Sequence, residues 1–419
     1  MLVTTHNHLV KLPRHGQYLD IRSWNARSIG NKTVFVCDYV IEHDVDILFL
    51  QETWLDEYDT TKIGEFTPPG YNFINVPRSI RGGGGVGALF KSTLNLTVTP
   101  TTCNLKIIEH MCITDSDSGL TFICVYRPKP SKVNKYPISD FLQEFDNLMD
   151  EVSFMPNKLI IVGDFNVHVN KPELPDVRHF HDTISINGFQ QHITVPTHIS
   201  GNTLDLLISR PEDNIVVTHS VKESLISDHF FIEFILAYNK PPPKKVTKTK
   251  RDFLGFYPTS FTQDLKCQLS EIPDSLSSAD ELVNHFSVVC TKLLDHHAPL
   301  KTRSLSIRTR LPWFNEGIAC ARRVRRRLER KWRKSQSEHD RTCYLDQLHL
   351  VNDMITSAKT EFFKTKIANG DDKDLFRTIN TLLNNSNKQL PVFSSSDIMS
   401  EQFSNFFKSK TDKIRYAQL

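Results

Sequence analysis

Asp164 and Asn166, a carboxylate and a carboxamide two residues apart, directly follow the unbroken apolar run Leu159, Ile160, Ile161 and Val162. A short apolar run that stops at turn residues has the pattern of a fully buried strand. Such a strand would deliver both side chains on a rigid support at its carboxyl end, where α/β sheets hold ligands. A carboxylate there can take a proton from a nucleophile or bind a hard cation. Gly163, Asp164 and Asn166 are also common turn residues, so the tetrapeptide Gly163-Asp164-Phe165-Asn166 alone fits a polar strand-to-loop turn equally well.

The same layout recurs. Residues 47–50 form an apolar run ending at Gln51-Glu52-Thr53, and residues 121–125 form another ending at Tyr126-Arg127-Pro128. Residues 204–208 carry Asp205 within them, Ile226-Ser227-Asp228-His229 leads into the aromatic run 230–234, and residues 21–24 deliver Asn25. One polar residue at a strand end is ordinary, whereas a set drawn from Asn, Glu, Tyr, Asp and His describes a site assembled from several strands.

The stretches SWNARSI around Asn25, LFLQETWL around Glu52, VYRPKP around Tyr126, GDFN at Asp164, TLDLLIS around Asp205 and SDH at Asp228 together resemble the endonuclease/exonuclease/phosphatase superfamily. Within it they look most like the apurinic-endonuclease-like domain of non-LTR (LINE-type) retrotransposons, in order and spacing, over about residues 20–237. Arg27 departs from DNA-repair relatives, which carry an acidic residue two positions after the Asn; retrotransposon relatives often lack it too.

The resemblance implies hydrolysis of a phosphodiester, which needs an activated water, neutralisation of the phosphoryl oxygens and help for the leaving oxygen. Glu52 is an oxygen ligand suited to Mg²⁺ or Mn²⁺, with Asn25 and Asp228 as further metal-side groups. Asp164, with Asn166 beside it, can orient and deprotonate the water. His229 can donate to the phosphate, and the resemblance gives Asp205 the buried role of fixing its tautomer. Asn25 and Tyr126 supply neutral hydrogen bonds. Taken singly, Glu52 could cap a helix, Tyr126 could be core and Asp228-His229 could be a turn.

At 419 residues the chain exceeds one typical domain, and a 39% hydrophobic content suffices for at least one large core. Its formal charge of +3 conceals a split: residues 1–239 hold 19 Lys+Arg against 28 Asp+Glu, a net −9, and residues 240–419 hold 32 against 20, a net +12. An acidic half would by itself repel nucleic acid, so the basic half is expected to supply phosphate affinity. The eight cysteines form no CxxC pair, which argues against zinc and for a reducing compartment. No secretory signal opens the sequence and no run reaches the ~18 apolar residues of a membrane span. A nuclear or cytoplasmic, non-secreted protein is therefore expected.

The elements that must position these residues can be read in order. Residues 1–19 lack periodicity and read as a loose lead-in; residues 33–43 read as a helix between two strands. The glycine-rich 81–87 lacks the Gly-Lys-Ser/Thr ending of a phosphate loop and precedes an apolar strand. Residues 94–99, 105–114 and 120–125 read as successive antiparallel strands, and residues 139–152 as a helix behind a Ser cap. The fold class expected for 20–237 is α/β, a four-layer sandwich of two facing mixed sheets flanked by helices, DNase I-like as the resemblance implies. Residues 238–259 read as a stiff basic Pro/Lys linker. Residues 260–419 read as mainly helical and basic, with helices over 281–294, 318–334, 344–368 and 374–383.

One of those helices carries Arg322, Arg323, Arg325, Arg326, Arg327, Arg330, Lys331, Arg333 and Lys334, with only Glu329 to offset them. Such a run is either a solvated face or a nucleic-acid contact, and the imbalance favours the second. With Pro312-Trp313-Phe314 before it, the tail also resembles the segment joining endonuclease to reverse transcriptase in these elements, yet no Phe/Tyr-Ala-Asp-Asp motif occurs. A piece of a longer element is expected, with DNA, element RNA or a reverse transcriptase encoded elsewhere as partners. The leading function is a metal-dependent DNA endonuclease that leaves a 3′-hydroxyl for priming. A same-fold phosphatase or phosphodiesterase on small phosphorylated substrates, and a non-catalytic nucleic-acid-binding relic, stand behind it.

Overall fold

The computed structural model describes residues 2–5, 8–11, 17–78, 83–130, 135–239, 245–270, 278–306, 311–382, 401 and 404–405. In chain order the elements begin β1 (Leu2–Thr5), β2 (His8–Lys11), β3 (Tyr18–Asn25), α1 (Thr33–Glu42), β4 (Ile47–Gln51), α2 (Thr60–Phe66), β5 (Tyr71–Val76), β6 (Val86–Lys91), β7 (Leu96–Val98), β8 (Glu109–Asp115) and β9 (Thr121–Tyr126). They continue α3 (Ile138–Ser153), β10 (Leu159–Asp164), α4 (Pro175–Ile186), β11 (Gln190–Gln191), β12 (Asp205–Ser209), β13 (Val216–Lys222) and β14 (Phe231–Ala237). The remainder is β15 (Lys245–Arg251), α5 (Pro258–Ser270), α6 (Ala279–His297), β16 (Leu300–Ser306), α7 (Glu316–Ser335), α8 (Glu338–Asn369) and α9 (Asp372–Leu382).

Two six-stranded mixed sheets face each other, one in the order β13-β14-β3-β4-β6-β5 and the other β11-β12-β10-β9-β8-β7. Side chains alternate across a strand, so each sheet divides its residues between two apolar layers. Ile21, Phe49, Phe122, Val162, Leu207 and Ile232 fill the space between the sheets. Their neighbours turn outward: Trp24, Leu48, Leu50 and Phe231 meet α1 and α2 residues such as Val36 and Phe66, while Ile123, Val125 and Ile161 meet Phe141, Phe145 and Phe180 of α3 and α4. The result is the expected four-layer α/β sandwich.

Several local expectations change. Ser139 does not cap α3; the cap position is Pro137, without a side-chain bond, and Ser139 lies inside the helix bonded to Asp140. The proline at the cap fixes the entry instead. The lead-in contains a β1/β2 antiparallel pair, and residues 245–251 are extended but paired, β15 lying antiparallel to β16 with α5 and α6 between them in sequence. Residues 81–82 of the glycine-rich turn and 240–244 of the Pro/Lys stretch lie outside the described residues, and the strand expected after the glycines is β6.

The tail packs on the sandwich. Ile318 and Ala321 of α7 and Val351 and Ile355 of α8 form one apolar cluster with Val34 of α1 against it. Beside that cluster Arg325 donates to Asp38 at 2.7 Å and pairs with Glu42, and Arg322 pairs with the same Asp38. Asp38, Arg325 and Arg322 are all buried or nearly so at their side chains. No described helix is long and apolar enough to cross a membrane.

Gly163 is the glycine that the site strand requires. Its φ is +146°, and a Cβ there would stand 1.9 Å from the Val125 carbonyl oxygen on the paired strand β9. Gly188 also has positive φ but a Cβ there meets nothing within 4 Å. Gly163→Ala is expected to cost ~4 kcal/mol or more, from a backbone clash in a core strand, against ~1 kcal/mol for Gly188→Ala. Chemical denaturation of both variants checks this, and equal losses would refute the assigned clash.

Candidate active site

Alternation explains why five polar side chains meet at one end of the sandwich. Counting in twos from the inter-sheet residues Ile21, Phe49, Cys124, Val162 and Leu207 arrives at residues 23 and 25, Gln51, Tyr126, Asp164 and Asp205. All five strands therefore present a polar group on the inner face where the apolar filling stops. Asn25, Asp164 and Asp205 are almost wholly buried there. Glu52, one position past β4, would by the same count face the outer layer. Its φ of +51° breaks the strand and turns it, so that its carboxylate reaches the inner group.

Asn25 joins the carboxylates. Its Nδ2 donates to Asp164 Oδ2 at 2.8 Å and to Glu52 Oε1 at 3.1 Å, and its own Oδ1 accepts from the Arg27 amide at 3.0 Å. Asn166, also at positive φ (+50°), folds back so that its amide and Nδ2 donate to the two Asp164 oxygens at 2.9 and 3.1 Å. That turn is closed by Arg127, whose carbonyl accepts from Asn166 Nδ2 at 2.6 Å and whose guanidinium donates to the Asn166 carbonyl at 2.9 Å.

Opposite these, His229 and Asp205 share a hydrogen bond of 2.8 Å between Nδ1 and Oδ2. With Nδ1 so engaged, Nε2 faces Asp164 Oδ2 at 3.8 Å. Burial disfavours the charged imidazole, but Asp205, Asp164 and Asp228 outweigh it and raise the His229 pKa. Asp164 is also raised, by burial first and the Asp205 charge second, against the opposing His229. Two groups of opposite sign thus face each other with shifted proton affinities, the usual mark of an acid/base site. Tyr126 stays a neutral donor beside Glu52, its pKa pushed up by burial and by the Glu52 and Asp164 charges.

Asp228 is held by Arg27 and His198. Arg27 donates to its Oδ2 at 2.7 Å and His198 Nε2 stands 3.6 Å from it. Burial works against its charge, yet His229 and Arg27 hold the carboxyl below the ordinary range. His198, whose ring centroid is 4.7 Å from that of His229 and whose backbone bridges to it, belongs to the site although the sequence reading passed over it. Its only signal was the polar run Thr197-His198 before a buried strand. Trp54 is another such residue: half-exposed at the mouth, it donates to Glu52 Oε2 at 3.1 Å.

The residues suit a hard divalent cation. Glu52 and Asp164 are oxygen donors flanking one amide, and the buried Asn166 Oδ1 has no hydrogen-bond partner among the described residues. His198, Asp228 and His229, and also Asp164, Asp205 and His229, have ligand atoms within 4.8 Å of one another. The second group is better described as a relay, since its His229 Nδ1 is committed to Asp205. Among the nine expected phosphate-binding cations the structure separates Arg322 and Arg325, which turn inward to Asp38, from the rest of α7.

The endonuclease/exonuclease/phosphatase family model matches residues 23–229. The chain is similar to the "Probable RNA-directed DNA polymerase from transposon X-element" of Drosophila melanogaster, 23% identical over 376 residues, covering 84% of this chain and 38% of that protein. It thus spans well under half the length of that relative. Among solved structures, the endonuclease domain of TRAS1, a telomere-specific non-LTR retrotransposon, is 16% identical with a TM-score of 0.43, covering 54% of this chain and 100% of that one. An AP endonuclease from Archaeoglobus fulgidus is 17% identical with a TM-score of 0.41, covering 53% of this chain and 99% of that one.

If Asp205 is what raises His229, Asp205→Asn should bring the His229 pKa down from about 9 toward the ordinary histidine range. Imidazole NMR titration of the metal-free protein reads this directly; an unmoved His229 resonance midpoint would dismiss the pair.

Proposed function

We propose, from a domain of the endonuclease/exonuclease/phosphatase family over residues 23–229, that this chain is a metal-dependent DNA endonuclease that nicks target DNA and leaves a 3′-hydroxyl. The observation that carries the reading is the convergence on Asp164: Asn25 ties it to Glu52, and the His229 Nε2 faces it at 3.8 Å. A water placed between Asp164 and a phosphate would have a base, a cation-binding carboxylate and an imidazolium around it.

Glu52, with Asn25, would hold Mg²⁺ or Mn²⁺, which supplies positive charge to a phosphoryl oxygen when bound. The raised Asp164 takes a proton from the attacking water while Asn166 fixes the rotamer of its carboxylate. The protonated His229, locked by Asp205, donates from Nε2 to a non-bridging phosphate oxygen. Tyr126 donates a neutral hydrogen bond beside Glu52. The water oxygen forms the new bond to phosphorus, the bond from phosphorus to the 3′-oxygen breaks, and that oxygen collects a proton from solvent. A reverse transcriptase acting with this chain would then extend the 3′-hydroxyl.

Asp164→Asn removes the base and is expected to lower Mg²⁺-dependent plasmid nicking ~10²-fold or more at unchanged thermal stability. EDTA should abolish nicking by the parent. Release of phosphate from small phosphorylated substrates without plasmid nicking would reassign the site to a phosphatase. A second outcome concerns the relay: single Ala variants at Asp205 and His229 and the double variant should lose about the same rate, because the two act as one unit. Fully multiplicative losses would separate them.

A further inference from the structure

The basic run of α7 divides in the structure. Arg322 and Arg325 face Asp38, and Lys331 bonds Asp340 at 2.7 Å. Five of the other six line a groove of about 820 Å³ whose second wall is not part of the tail, Lys334 not being among its lining residues. Lys222, the last residue of β13, completes it opposite Arg323, Arg326, Arg327, Arg330 and Arg333. Among the lining residues the single carboxylate is Glu329, already paired with Arg333 at 2.8 Å. Glu316, Glu42 and Glu233 touch Arg323, Arg326 and Lys222, whereas Arg327 and Arg330 have no carboxylate partner among the described residues.

We propose that this groove, built jointly by β13 of the nuclease domain and α7 of the tail, is a track for the phosphodiester backbone of nucleic acid flanking the cut. Naming the flank rests on the nuclease reading above; the backbone binding does not. From Arg323 to Arg333 the helix advances ~15 Å at 1.5 Å per residue, and each duplex strand carries a phosphate per ~3.4 Å of duplex axis, so a row lying along that axis spans about four phosphates of one strand. Lys222 is paired in register with Phe231, two residues after His229. β13 lies two strands from β3, which ends at Asn25, or ~10 Å at the usual spacing. The Lys222 wall of the groove therefore stands level with the Asn25 end of the sheet, and His43 at the C-terminal end of α1 lines it as well.

The local field favours an anion. Burial, then the like charges of Arg22 and Arg333, pushes the Lys222 amine down to about 8. A membrane surface fits less well, because no large apolar residue of α7 is exposed for insertion and the cations sit in a groove.

Removing the tail would bare Asp38, Glu42 and the apolar cluster around Val34, so the test uses the full chain. Arg323, Arg326, Arg327 and Arg330 are changed together to Gln, which retains helix propensity and leaves the inward pair intact. Lys222→Gln probes the other wall. Duplex DNA binding is followed by fluorescence anisotropy in EDTA from 50 to 200 mM KCl. The quadruple variant should bind at least ~30-fold more weakly at low salt, with a log–log slope shallower by about 3 to 4. Lys222→Gln should lower the slope by about 1. Slopes equal to the parent's overturn the track, as does a loss confined to vesicles containing phosphatidylserine. Since no cleavage is needed, a parent chain that fails to nick DNA would remove the nuclease reading while leaving a slope difference in force.

Discussion

A carboxylate with no solvent exposure at the meeting of two sheets is the constraint around which the rest of this molecule is arranged. Burying the charge of Asp164 is costly unless hydrogen bonds and an opposite charge compensate it. The chain supplies Asn25 from the facing sheet, the Asn166 amide and side chain from its own turn, and His229 from just before β14. Each of these is itself anchored, His229 by Asp205 and Asn166 by Arg127. The left-handed conformations at Glu52 and Asn166 store strain at the same place, consistent with a site in which local preference yields to function.

Much of this was visible in the sequence because a strand period of two is unforgiving. Once 159–162 is read as buried, Asp164 can face only one layer, and the same logic fixes Asn25, Tyr126 and Asp205. What escaped has identifiable physical reasons. His198 sits in irregular backbone between β11 and β12, where no period applies. The β15/β16 pair joins two basic, hydroxyl-bearing segments some fifty residues apart, and nothing local records that pairing. Glu52 was legible as a candidate ligand, but not the way it turns inward, because one backbone dihedral there changes sign, which propensity does not foretell.

The inward turn of Arg325 was legible in principle. Ile318, Ala321, Arg325 and Trp332 are the buried positions of α7 and follow helical spacing, so Arg325 lies on the apolar stripe of an otherwise cationic helix. A charge on such a stripe calls for a buried partner, and α1 provides Asp38 and Glu42. Ion pairs of this kind add little net stability compared with well-packed apolar residues, but breaking one leaves a buried charge costing ~3–5 kcal/mol. They serve here to specify which face of α7 is turned to the sandwich, and thereby which arginines remain outside.

That contact bears on how such chains can be recombined. The family match ends at residue 229 and the last sandwich strand at Ala237, so a shuffling event that cut there would carry the whole cluster around Asp164. It would also carry Asp38 and Glu42 into a new context as unpaired acids on a buried helix face. The heritable module is therefore larger than the motif-bearing one: α1 can change partners only if the new neighbour also brings two cations at the right helical phase, or if both acids are lost together.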